Sequence, residues 1–85
     1  MNCVITFDSI HRVMKAEKLL REGNVPISLI PTPRQISSDC GMVISVTCQE
    51  LERVQKILNE NNLEIEGIYE NGKKMTRRHE KADII

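Results

Sequence analysis

Residues 42–58 read MVISVTCQELERVQKIL, and the apolar period changes midway along them. From Met42 to Thr47 the side chains alternate, Met42, Ile44 and Val46 against Val43, Ser45 and Thr47, which is the two-residue period of a strand. From Leu51 on, Leu51, Val54, Ile57 and Leu58 fall on one helical stripe. Thr47-Cys48-Gln49-Glu50 lies at the change and has the form of a capping box, with Thr47 and Glu50 each closing on the other's backbone amide. Asn61-Asn62 marks the expected end of this helix.

Working outward, NCVITF (2–7) is rich in β-branched residues and reads as a strand. Asp8 or Ser9 then supplies a short side-chain oxygen to cap a helix. Ile10, Val13, Met14, Leu19 and Leu20 recur near helical spacing, and Gly23-Asn24 is a stop. PISLI (26–30) is a second strand with Ile27 and Leu29 on one face. LEIEGIYE (63–70) is the fourth, where Gly67 signals a bulge or a close approach. The order β-α-β-β-α-β predicts an α+β, ferredoxin-like fold, one four-stranded antiparallel sheet with both helices on one face.

That domain accounts for residues 1–70. The remainder, NGKKMTRRHEKADII (71–85), is charged and lacks a long apolar period, so it reads as a disordered tail. Its basic cluster, Lys73, Lys74, Arg77, Arg78, His79 and Lys81, is expected to be solvated.

The bulk composition excludes several classes of function. Twelve basic residues balance twelve acidic ones, so no global field draws the chain to nucleic acid or membrane. Phe7 and Tyr69 are the only aromatic residues, too few for a base-stacking platform. No apolar run approaches the ~20 residues of a membrane span, and MNCVITFDS is too short and too acidic for a secretion signal. The expected address is cytoplasmic. Cys3, Cys40 and Cys48 show no CxxC spacing, and in a reducing compartment all three are expected to remain thiols.

The longest connection, PTPRQISSDCG (31–41), draws the functional argument. Hairpin loops usually take 2–5 residues, and this one takes about twice that. Pro31 and Pro33 stiffen it and push Ile30 and Thr32 into extended conformations. In a split βαβ sheet the third strand lies between the first two, so this loop shares an edge with the first turn of helix one, where Ser9 and His11 lie. An ordinary thiol is only a few per cent ionised at neutral pH. Arg34, a charged His11 and the positive end of helix one favour a thiolate at Cys40, whereas Asp39 opposes it. Gly41 lets a backbone or ligand come close to the sulfur.

The other two cysteines read differently. Cys48 lies about eight strand residues, roughly 26 Å, from Cys40, too far to pair with it, and has a structural reading. Cys3 alternates with Val4 and belongs to the core. Copper-carrying domains of this fold class hold metal with paired soft thiolates. One thiol at the loop provides no dedicated metal site, and no cofactor is expected.

Taken together, Phe7, Ser9 and His11, the Ala16–Leu20 rhythm, PTPR at 31–34, and Ser37, Ser38, Cys40 and Gly41 resemble the selenium/sulfur carrier-like proteins, small bacterial domains. The match is good over roughly residues 2–47 and covers the second helix only by type. The resemblance implies that Cys40 carries sulfur or selenium as a persulfide or selenosulfide. Arg34, Ser37, Ser38, Gly41 and His11 would surround it, and the chain would act as a carrier between a donor desulfurase or selenium-handling enzyme and an acceptor protein. Such a carrier is not an enzyme by itself. Related sulfur-relay carriers hold their cysteine just before helix one, where this chain has DSIH (8–11).

A second reading is a regulatory or assembly domain. Val4, Ile30 and Val43 lie among Thr6, Ser28 and Ser45 on the face away from the helices, and two copies could pair there as a homodimer. In that case the Pro31–Gly41 loop would bind a ligand or partner.

Overall fold

The five-stranded sheet has the order β2-β3-β1-β4-β5. Its elements are β1 (Asn2–Thr6), α1 (Ile10–Glu22), β2 (Ser28–Pro31), β3 (Met42–Thr47), a 3₁₀ turn at Cys48–Glu50, α2 (Leu51–Glu60), β4 (Gly67–Glu70) and β5 (Lys73–Lys74). The computed structural model describes residues 2–36, 40–70 and 73–74. Within the sheet, β3 pairs antiparallel with both β1 and β2, and β1 pairs antiparallel with β4. Strands β1 and β2 are therefore parallel with β3 between them. This is the ferredoxin-like arrangement, and β5 extends it by two residues at the β4 edge. The rest of the expected tail, residues 71–72 and 75–85, lies outside the described residues.

The core forms between the sheet and the helices. Cys3, Ile5 and Phe7 from the β1 segment meet Ile44 and Val46 of β3, Val13, Ala16 and Leu20 of α1, and Val54 and Leu58 of α2. On α1 the buried stripe is Val13, Ala16 and Leu20, narrower than the sequence pattern implied. Ile10 and Met14 remain 40% and 59% exposed: Met14, next to Val13 in sequence, is turned from it by about 100° around the helix, and Ile10 is the first residue of the helix. Helices α1 and α2 meet closely at Gly23. A Cβ there would lie 2.8 Å from Ile57 Cδ1, and Arg53 Nη2 of α2 donates to the Gly23 carbonyl at 2.8 Å.

Several local signals act as expected. The Ser9 side chain caps α1 by accepting from the Arg12 amide. Asn24 and Asn62 take left-handed φ values of 61° and 57° just after the two helices, a conformation that Asn tolerates better than most residues.

Other signals lost to competing interactions. The Thr47 side chain makes no capping bond. Arg53 Nη1 donates to Glu50 Oε1 at 3.0 Å, and the first turn winds as 3₁₀. Strand β4 begins only at Gly67, where it meets Thr6 in a continuous register without a bulge.

The main correction concerns the cysteines. Cys3 and Cys48 form a disulfide with a Cα–Cα distance of 5.2 Å. In the β1–β3 register Cys3 faces Val46, so Cys48 is its diagonal neighbour on the same face. Diagonal neighbours in a flat pair sit about 7–8 Å apart. The 3₁₀ turn draws Cys48 inward, into the 4.4–6.8 Å range typical of disulfides. Three unbridged thiols were the expectation from spacing alone, and the fold pairs two of them across 45 residues of sequence.

Closing a loop of that length removes entropy from the unfolded chain, worth about 4 kcal/mol in the chain-entropy account. The double variant Cys3→Ala/Cys48→Ala should therefore lose about 2–5 kcal/mol of unfolding free energy. Urea titration with and without reductant checks this: reductant should lower the wild-type midpoint toward the variant's and leave the variant's unchanged.

Candidate functional site

The loop between β2 and β3 starts from a closed base. Pro31 faces Met42 in the β2–β3 register, and the Thr32 amide donates to the Gly41 carbonyl at 3.0 Å. Beyond that rung, the Ile36 amide donates to the Pro33 carbonyl at 3.0 Å, folding Pro33–Ile36 into a tight turn. A proline inside β2 is tolerated because β2 is an edge strand.

Two residues of the loop turn inward. Cys40 is half-buried and packs against the helix-side core, and its Sγ donates to the Met42 carbonyl at 3.1 Å. Ile36 is 5% exposed, yet it stands apart from that core cluster. Thr6 and Val43 are also buried outside the cluster, on the sheet face turned away from the helices. This part of the open face is covered within the chain itself, which leaves less of it for pairing two copies.

Gly41 is exposed, with φ +81°, and a Cβ built there meets nothing within 4 Å. Its glycine is required by backbone conformation, since space beside it is ample. Thr32 Oγ1, at the loop base, is buried without a hydrogen-bond partner among the described residues. Such a group costs about 1–3 kcal/mol.

The remaining candidates are distributed around the same edge. Arg34 is exposed at the tip of the Pro33–Ile36 turn, and His11 is exposed in the first turn of α1. The sheet topology brings the end of β1, the start of α1, the end of β2 and the start of β3 to one edge, as the sequence order implied. Ser37 and Ser38 lie outside the described residues, as does Asp39. Arg12, Asn59, Asn62, Leu63 and Glu64 line a polar recess of about 370 Å³ by the start of α1. Arg12 is held there by an ion pair to Asp8 at 3.1 Å.

A family model described as "Putative Se/S carrier protein-like" matches residues 2–70. The chain belongs to this family. No curated protein and no solved structure matches it. The Se/S carrier-like match spans β1 through β4 and the whole 31–41 loop, and ends before β5.

Sequence reasoning missed how the cysteines divide, Cys3 with Cys48 and Cys40 outside the pair. An odd number of cysteines is itself a signal of one pair plus one thiol, but partners can be assigned only once the β1–β3 register is known. Among the described residues, no group of three or more His, Cys, Asp or Glu side chains is arranged to hold a metal ion. No helix among them is long and apolar enough to cross a membrane.

Two substitutions test the loop's construction. Gly41→Ala should cost about 1–2 kcal/mol, the penalty of a left-handed conformation for a residue with a Cβ, and Gly41→Asn should cost less. Thr32→Val removes a buried hydroxyl that lacks a partner and should raise stability by up to about 1–3 kcal/mol. Chemical denaturation of both variants beside the parent measures each effect.

Proposed function

We propose that this domain carries sulfur or selenium on Cys40 and hands it to an acceptor protein. The observation behind the reading is that Cys40 keeps its thiol while the other two cysteines are joined. It does so on the long loop at the sheet edge, inside the span matched to the Se/S carrier-like family. The loop is open to solvent at Gly41, next to Cys40 in the chain.

The chemistry requires no net oxidation. Cys40 Sγ, as thiolate, attacks the outer sulfur of a donor persulfide. The donor's S–S bond breaks, its thiolate leaves and takes up the proton that Cys40 gave, and Cys40 holds a persulfide. An acceptor nucleophile then attacks the outer sulfur and Cys40 leaves as thiolate. Selenium follows the same path as a selenosulfide. Losing its proton also releases Sγ from the Met42 carbonyl. Arg34, with Ser37, Ser38, the Gly41 amide and His11, would stabilise the charged outer atom. The donor is a desulfurase or selenium-handling enzyme, the setting is cytoplasmic, and the polar recess around Arg12 offers a seat for a partner's side chains.

Incubating the full chain with a cysteine desulfurase and cysteine, then alkylating and mapping by mass spectrometry, tests the reading. One added sulfur on Cys40, lost in Cys40→Ser, is the expected result. Absence of added sulfur, or a sulfur adduct that persists in Cys40→Ser, would overturn it.

A further inference from the structure

The second concentration of sulfur lies at the opposite end of β3 from Cys40, where Cys3 and Cys48 are joined. The two sulfurs occupy unequal positions. Cys3 is 0% exposed in the middle of the core. Cys48 is half-buried at the first position of the 3₁₀ turn, which runs directly into α2. Of the two residues only Cys48 reaches the surface, so a thiolate from solution meets Cys48 before Cys3. The amides at the start of this helical segment also favour negative charge on Cys48 once the bond opens.

We propose that Cys3–Cys48 is a reversible dithiol/disulfide couple that low-molecular-weight thiols enter at Cys48, making Cys48 a site of S-thiolation. The step balances in two exchanges. A small thiolate attacks Cys48 Sγ, forms a mixed disulfide there, breaks the Cys3–Cys48 bond and expels Cys3 as a thiolate, which takes up the proton that the small thiol released to solvent on ionising. A second small thiolate attacks the outer sulfur of the mixed disulfide, forms the oxidised small-thiol dimer, and releases Cys48 as thiolate. The protein gains two electrons and two small thiols lose them. The attack on a disulfide is an ordinary thiol exchange, governed by which sulfur is reachable. Closed, the couple leaves Cys40 as the chain's one thiol. Open, it adds a second reactive sulfur about 26 Å of extended strand away, beyond intramolecular reach.

The site stands independently of the carrier reading and is tested on the full chain. The oxidised protein is equilibrated with mixtures of reduced and oxidised glutathione, quenched in acid, alkylated and mapped. The expected intermediate carries glutathione on Cys48 and the alkyl label on Cys3, in at least about tenfold excess over the reverse isomer, because exchange selects the accessible sulfur. Cys3→Ala should leave a Cys48 that reacts with oxidised glutathione in the folded protein. Cys48→Ala should leave a Cys3 that reacts only in denaturant. A pair that opens only on unfolding would be a static structural bridge, and that result overturns the proposal. So does an adduct chiefly on Cys3, or failure of the two cysteines to join under oxidising mixtures. Running the series in Cys40→Ser separates the two readings, since that variant must lose sulfur loading and keep the Cys48 chemistry.

Discussion

The antiparallel pairing of β1 with β3 sets where the three cysteines of this domain lie. With Cys3 set against Val46 and Ile5 against Ile44, odd positions of β1 and even positions of β3 share the helix-side face. Cys48 then falls diagonally beside Cys3, and Cys40 emerges from the far end of the same strand on the same face. A shift of one residue would turn both cysteines and the apolar rows to the opposite side. The packing of Phe7, Leu20, Val54 and Leu58 beneath these strands is what forbids that shift.

From this constraint the domain acquires two ends of different character. At one end a buried and a half-buried sulfur are joined where strand passes into helix. At the other, a half-buried thiol sits under a loop braced by a backbone rung at Thr32 and Gly41. Two residues of the loop are withdrawn from solvent, Cys40 against the helix-side core and Ile36 apart from that cluster. One buried hydroxyl at the loop's base, Thr32 Oγ1, has no partner among the described residues.

The fold was legible because its signals are local and periodic. Alternation in residues 42–47, the helical stripe after Leu51, the Ser9 cap and the two Asn stops each depend on a few neighbouring residues. Together they imply the element order and the edge on which the 31–41 loop lies. Signals that depend on competition were read less well. Ile10 and Met14 matched the helical period and still face solvent, since the core needs only the Val13–Ala16–Leu20 stripe. The Thr47–Glu50 box was available locally, yet Arg53 took the Glu50 carboxylate.

By itself the sequence determined the fold class, the family resemblance and Cys40 as the residue to watch, because each rests on spacing along the chain. Only the tertiary structure decided the pairing of Cys3 with Cys48 and the burial of Thr6 and Val43 on the open face. The same holds for the burial of Ile36 in the loop. The physical reason is distance along the chain: a disulfide across 45 residues depends on strand register, and register is set by how the whole core packs.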